Sequence, residues 1–157
     1  MTVVVAGPTV AAPEYGGLVT RTLAFALDVL IVDAVALMTG VVIGLGLSAL
    51  DLPGTVTTVL AVIGAAAAVV WSIVYFAYFW SARGQTPGDR VLGLRVLEEA
   101  TGGTLRFPRA TLRVFALVLS AIPFCLGFVM ILFDDRRRAL HDRIVGSVVV
   151  YHDPERP

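Results

Sequence analysis

The sequence contains no lysine, one cysteine and two histidines among its 157 residues. Because Cys125 has no second cysteine to pair with, it cannot form an internal disulfide and gives no information on the redox compartment. His141 and His152 are too isolated from other ligand-type residues to support a zinc site, so we expect His141 to lie at the surface or to cap a helix. We predict no metal and no cofactor.

Patterns typical of catalysis are absent as well. Residues 84–88 contain glycines but lack the Gly-x-x-x-x-Gly-Lys-Ser/Thr pattern of a phosphate-binding loop. No serine stands in a Gly-x-Ser-x-Gly setting, and no nucleophile has an evident paired base. The 12 basic and 12 acidic residues balance, so the net charge does not point to nucleic acid. We therefore predict that the chain is not an enzyme and binds no nucleic acid.

Charged residues are scarce and apolar residues abundant. The chain is 57% hydrophobic and 15% charged, with a mean hydropathy of +0.86. Three apolar segments, at about 23–50, 55–80 and 110–133, reach the roughly 20 residues that cross the hydrocarbon core of a bilayer. The sequence therefore predicts an all-α integral membrane protein in contact with the lipid bilayer, with its first two spans joined by a turn at residues 51–54.

The distribution of arginine predicts the orientation. Six arginines lie between residues 81 and 113 and none in the turn at 51–54, so the positive-inside rule places the N-terminus and the 81–113 region in the cytoplasm of a multi-pass inner-membrane protein. A further arginine cluster follows the third apolar segment. Pro123 and Gly127 would divide that segment into two arms too short to cross, which favours a re-entrant segment. An ordinary kinked span with an external tail remains the alternative.

Two stretches outside the apolar segments have β character. Residues 91–99 followed by turn residues 101–104 and a short return at 105–107 predict a small cytoplasmic β-hairpin. Residues 146–151 form a further candidate strand, and the hairpin would supply its pairing partner. We divide the chain into a flexible leader at 1–15, a membrane domain at 16–151 and a tail at 152–157.

Small residues recur every four positions on the first two spans. Such faces let membrane helices approach closely, so they predict an antiparallel helical hairpin in which Gly40 lies near Gly64. The residues concerned are Ala36, Gly40, Gly44 and Ser48 on the first span, and Gly64, Ala68 and Ser72 on the second.

Ionisable residues within the first span are candidates for function, because charge inside a membrane is costly. Arg21 and Asp28 share a helix face about 10 Å apart, so they form a candidate ion pair. Asp33 lies about 140° further round the helix, near mid-bilayer. Asp28 is also within reach of Arg113 or Tyr75. A purely structural role for either aspartate remains open.

Three features occur together in this chain: Arg21 and Asp28 in the first helix, the stretch GQTPGDRVLGLRV at 84–96, and LHDRIVGS at 140–147. In this combination the chain resembles the RDD family of small membrane proteins, named for one arginine and two aspartates. The resemblance extends from about Gly16 to Tyr151. It implies that Arg21 and Asp28 are the family's arginine and first aspartate.

The second aspartate of the pattern is assigned by the resemblance to Asp142, with Asp33 as a competitor. Where the family usually has a lysine after Thr-Pro-Gly, this chain has Asp89, followed by Arg90. The resemblance suggests transport of an undefined ligand.

We therefore expect transport of a small ion or solute by a homo-oligomer or with a membrane partner. The candidate ligand or ion-pathway residues are Arg21, Asp28, Asp33, Arg113 and Asp142. The alternative is a non-transporting scaffold or accessory subunit that docks a partner through its cytoplasmic hairpin and tail.

Overall fold

The structure is a computed structural model that describes residues 13–121 and 126–152. The predicted leader therefore lies mostly outside the described residues, as do Pro123, Cys125 and the end of the tail. The described part is mostly helical with a small sheet. Its elements are α1 (Leu18–Ser48), α2 (Gly54–Ala82), α3 (Pro87–Val91), β1 (Leu94–Glu98), α4 (Phe107–Ala121), α5 (Leu126–Val129), a 3-10 helix (Met130–Leu132), α6 (Leu140–Val145) and β2 (Ser147–Tyr151).

The two long helices confirm the first two predicted apolar segments. α1 has 31 residues and α2 has 29, which at 1.5 Å per residue gives each a length of over about 40 Å. Both are long and apolar enough to cross a membrane, and little of either is buried within the chain. Pro53 precedes the first residue of α2, where a missing backbone N–H is no loss.

The predicted close packing of small residues between α1 and α2 is wrong. A Cβ atom placed on Gly40, Gly44 or Gly64 would meet nothing within 4 Å. α1 packs mainly against α3, and α2 mainly against α4. The two long helices meet directly near one end, where Phe25 stacks on Phe76 with 5.6 Å between ring centroids. The glycine faces of their other halves are left open.

α5, in the third apolar segment, and α6, after it, both pack against α4. α5 lies so close to the end of α4 that a Cβ on Gly127 would stand 2.7 Å from Ser120 Cβ. α6 then packs along α4, and Asp142 on α6 reaches Arg113 near the start of α4, with 2.7 Å between Nη2 and Oδ1. Both ends of the segment therefore lie at the same end of the molecule.

The sheet is two-stranded and antiparallel, and β1 pairs with β2 from Leu94 opposite Tyr151 to Glu98 opposite Ser147. The predicted pairing of the tail strand with the 91–107 region is confirmed. The predicted hairpin within that region is wrong, because Val91 ends α3 and α4 already begins at Phe107. Long-range pairing thus replaces the local return strand.

Both edges of the sheet are covered by nearby backbone. On the β2 side, Gly16 N–H donates to Val149 O at 3.0 Å and Tyr151 N–H donates to Glu14 O at 2.9 Å. On the β1 side, Val96 N–H donates to Gly84 O at 2.7 Å. We call α3, the sheet and α6 the cap.

The core lies where the first turns of α1, the last turns of α2 and the start of α4 meet the cap. Aromatic side chains from α2 fill it and β-branched residues from the sheet close it. The fully or almost fully buried apolar residues include Ala24, Tyr75, Phe76, Ala77, Trp80, Leu94, Val96, Leu105, Ala110 and Val149. This packing fixes the positions of the buried polar side chains beside the core.

Candidate functional site

Asp142 is the centre of a buried ionic cluster. Arg21 Nη1 donates to its Oδ2 at 2.6 Å, and Arg113 Nη2 donates to its Oδ1 at 2.7 Å. Ser147 Oγ adds a bond to Oδ1 at 3.1 Å. The Asp142 side chain is fully buried and Arg113 nearly so. One carboxylate therefore connects the start of α1, the start of α4 and the cap, and we call Arg21, Arg113 and Asp142 the clasp.

The local sequence around Asp142 explains its position. Asp142 is the third residue of α6, where its Oδ2 also accepts a bond at 3.1 Å from the Ala139 N–H that precedes the helix. Gly146 ends α6 in the left-handed conformation, with φ of 67°, and sends the chain directly into β2. A short capped helix thus presents the carboxylate inward while the following strand closes over it.

The arginines keep Asp142 ionised. Burial alone would raise the pKa of this carboxyl, but the charges of Arg113 and Arg21 lower the pKa of Asp142 to about 2. Removing Asp142 would leave both guanidinium groups without their counter-ion.

His141 lies against the clasp and not at the surface as predicted. It is 5% exposed, its Nε2 is 3.8 Å from Asp142 Oδ1, and its ring centroid is 5.4 Å from that of Phe128. Burial lowers the pKa of His141 to about 4, and this effect outweighs the attraction of Asp142. The imidazole is therefore neutral at pH 7.

Asp28 forms a second buried cluster, separate from the clasp. Its Oδ1 accepts bonds from Tyr75 OH at 3.0 Å and Gly88 N–H at 2.8 Å, and its Oδ2 accepts one from Thr86 Oγ1. Asp28 is 1% exposed. The carboxyl group therefore joins α1 to α2 and to the start of α3.

The sequence Thr86-Pro87-Gly88-Asp89 builds this contact. Thr86 Oγ1 accepts from Asp89 N–H and Asp89 Oδ2 accepts from Thr86 N–H, which is a capping box with Pro87 in the first helical turn. Gly88 has no room for a side chain, since a Cβ would stand 2.2 Å from Ala24 O. Glycine thus lets α3 touch the backbone of α1.

Trp80 links the two clusters. Its Nε1 donates to Asp89 Oδ2 at 3.2 Å, and the Arg113 guanidinium lies over its ring, 4.6 Å from the centroid. A continuous set of polar contacts therefore runs from Asp28 through Thr86 and Asp89 to the clasp.

The structure corrects the predicted partners of the charged residues. Arg21 does not pair with Asp28, because it extends toward the cap and binds Asp142. Arg113 likewise binds Asp142 and not Asp28. The predicted contact of Tyr75 with Asp28 is confirmed. Both arginines bind Asp142 because the cap, which carries Asp142, packs against the start of α1.

Asp33 is not part of either cluster. It is exposed and lies on the wall of a cleft of about 620 Å³ between α1, α2 and α4. The five predicted candidates thus occupy three places: the clasp, the Asp28 cluster and this cleft. Within residues 13–121 and 126–152, no group of three or more His, Cys, Asp or Glu side chains is placed to hold a metal ion.

Sequence reasoning missed Thr86, Gly88, Asp89 and Trp80 as parts of the site. The Thr-Pro-Gly-Asp stretch nevertheless carries a local signal, because Thr with an acidic residue three positions later is the capping-box pattern. That pattern predicts the short helix. It does not predict the contact of its first turn with Asp28.

The RDD family model matches residues 15–146, which includes α1 to α6 and therefore both clusters. The chain belongs to the RDD family. The clasp includes Arg21 and Asp142, to which the resemblance assigns the family's arginine and its second aspartate. The RDD family and the two long apolar helices together indicate a membrane-associated protein.

Individual relatives match over part of their length. The chain is 33% identical over 84 residues to "Proline-rich antigen" of Mycobacterium leprae (strain TN), covering 54% of this chain and 32% of the relative. It is 37% identical over 84 residues to "Uncharacterized protein YxaI" of Bacillus subtilis (strain 168), covering 53% and 54%. It is 35% identical over 77 residues to "Uncharacterized protein RP437" of Rickettsia prowazekii (strain Madrid E), covering 48% and 42%.

The matched region thus spans about a third to a half of these relatives. No solved structure matches the chain.

Proposed function

We propose that this RDD chain is a multi-pass domain of the inner membrane, in which α1 and α2 cross the bilayer and the cap lies in the cytoplasm. Large apolar residues are exposed along the halves of α1 and α2 that lie away from the cap, and this exposure supports the placement. Leu37, Met38, Val42 and Val62 are each more than 60% exposed. A surface of this size and polarity suits lipid far better than water.

The third apolar segment is then re-entrant. α4 has 15 residues, about 22 Å of helix, which falls short of the roughly 30 Å of hydrocarbon. The contact between Arg113 and Asp142 and the pairing of β1 with β2 support a return to the side from which the segment entered.

The role that we propose for this domain is assembly within the membrane, without transport through its polar residues. The observation that carries this proposal is the burial of those residues in protein contacts: Asp28 is 1% exposed and Asp142 is 0% exposed. Neither they nor Arg21 nor Arg113 line the clefts of about 620 and 510 Å³. Groups so placed hold the cap onto the two spans.

The partner surface lies in the membrane and not on the sheet. The covered sheet edges offer little to an incoming strand, whereas the small-residue face at Gly40 and Gly44 on α1 is open. Small residues allow the close helix contact on which association in lipid depends. We assign this face to a second copy of the chain.

Leucine substitutions test the assembly. Gly40→Leu and Gly44→Leu should reduce the dimer fraction severalfold, as counted by single-molecule photobleaching in liposomes. Gly46→Leu is the matched control, because Gly46 is equally unobstructed but lies about 120° from Gly40 and about 160° from Gly44 around the helix. A monomeric wild-type chain, or equal loss in all three variants, would contradict the proposal.

Transport of a small ion or solute is the second candidate function. The observation in its favour is Asp28, a buried carboxyl whose three described hydrogen bonds all come from uncharged donors. Transport predicts that Asp28→Asn abolishes flux in reconstituted vesicles while the protein still inserts. The assembly role predicts that Asp28→Asn lowers stability and that no flux depends on it.

A further inference from the structure

The cleft between α1, α2 and α4 has a mostly apolar lining, whereas the two buried clusters are polar. Four aromatic side chains, those of Phe25, Phe76, Trp80 and Phe115, contribute to its walls, and aliphatic side chains supply most of the rest. Its volume of about 620 Å³ falls within the range of sites for small organic molecules.

Asp33 is the only ionisable residue in this lining. Within the described ranges 13–121 and 126–152 it makes no hydrogen bond and no ion pair. Ser72 also has a polar side chain in this lining, and its hydroxyl already donates to Ala68 O at 2.9 Å. A carboxyl group is therefore presented to an apolar cleft without a protein partner.

We infer that this cleft binds an amphiphilic cation, a molecule with an apolar body and one ammonium or phosphonium group. The apolar body would displace lipid from the aliphatic and aromatic walls, and the cationic group would lie against Asp33. Aromatic faces add attraction for such cations, and Phe25, Phe76 and Phe115 are placed to supply it.

A lipid acyl chain alone fits the cleft less well. It would fill the apolar volume but leave the Asp33 carboxyl group unpaired at bilayer depth, which is costly. A cation satisfies both parts of the lining at once. The inference rests on the proposed bilayer placement and is independent of dimerisation and of transport.

Equilibrium dialysis of tetraphenylphosphonium against the full chain in lipid nanodiscs tests the inference, with empty nanodiscs as the blank. Asp33→Asn should weaken binding about tenfold or more, because it removes the one ion pair in a poorly solvated site. Asp51→Asn is the matched control, since Asp51 is exposed in the turn before α2. It should bind as the wild type does.

A neutral probe separates charge from apolar filling. Binding of a neutral arene of similar size should change less than twofold in Asp33→Asn, whereas Ser72→Phe, which narrows the cleft, should weaken both probes. Equal binding of tetraphenylphosphonium by the wild type and Asp33→Asn would overturn the inference. If both chains still insert and dimerise, that result leaves the proposed function standing.

Discussion

Arg21 and Asp142 are 121 positions apart in the chain, and their Nη1 and Oδ2 atoms are 2.6 Å apart in the fold. The same carboxylate binds Arg113, so three distant segments share one buried anion. The clasp therefore decides where the cap sits relative to the two long helices.

The first prediction concerns this shared anion. Asp142→Asn leaves the buried guanidinium group of Arg113 and the partly buried one of Arg21 without their counter-ion, which should lower the free energy of unfolding by about 3–5 kcal/mol. Denaturant titration in detergent followed by circular dichroism measures the change. Asp135→Asn, at an exposed position in the preceding loop, should change it by less than about 0.5 kcal/mol. Equal stability of the two variants would show that the clasp is not a stabilising contact.

The second prediction concerns the contact between α3 and α1. Gly88→Ala places a Cβ 2.2 Å from Ala24 O, so α3 must move away from Asp28 at a cost of about 1–3 kcal/mol or more. Gly46→Ala adds the same methyl group where nothing lies within 4 Å, away from the face assigned to the second copy, and should not destabilise the chain. Thermal unfolding of both variants in one detergent gives the comparison, and an unchanged midpoint for Gly88→Ala would refute the close approach.

The third prediction separates two tyrosines on α2. Tyr75→Phe removes a donor to the buried Asp28 carboxyl and should cost about 1–3 kcal/mol. Tyr78→Phe removes the same hydroxyl from a side chain that is 52% exposed, so its effect should fall within about 0.5 kcal/mol. Both are measured by denaturant titration. A larger loss at Tyr78 than at Tyr75 would contradict the assigned geometry.

The fourth prediction is a pH dependence due to His141. Because burial lowers its pKa to about 4 in the fold against about 6.5 in the unfolded chain, the unfolded state binds more protons between these values. Stability is therefore fully present above about pH 6.5 and should fall by about 3 kcal/mol as the pH drops toward 4.

The control for this titration uses the other histidine. His141→Gln should flatten the stability profile between pH 4 and 6.5, whereas His152→Gln, at an exposed position, should keep it. Denaturant titrations at half-unit pH steps provide the data. An unchanged slope in His141→Gln would assign the dependence to other groups.

Hydropathy predicted the long helices, because the length and apolarity of a segment are properties of the local sequence. The β2 strand could also be predicted from the local sequence, because Val148, Val149 and Val150 form a run of β-branched residues. The partner of β2 was also expected in the right region. The predicted return strand at 105–107 is wrong because these residues lead into α4. The buried face of α4 packs in the core.

The ionic partners could not be predicted from helical spacing. The spacing along α1 places Asp28 on the same helix face as Arg21. Only the tertiary fold brings Asp142 Oδ2 within 2.6 Å of Arg21 Nη1. The small-residue faces led to a wrong prediction for the same reason. The pattern indicates that a helix can pack closely against another helix, but it does not indicate which helix that is. Here the aromatic contact of Phe25 with Phe76 brings α1 and α2 together at one end only.

The central claim is that the third apolar segment returns, so that the tail and the loop before α4 lie on one side of the membrane. Cysteine accessibility in sealed vesicles tests it most directly, with His152→Cys, Thr101→Cys and Asp51→Cys each introduced into a Cys125→Ser background. All three positions are exposed. With a membrane-impermeant maleimide, positions 101 and 152 should label from the same side and position 51 from the opposite side. Labelling of position 152 from the side of position 51 would contradict the account and establish a third full span.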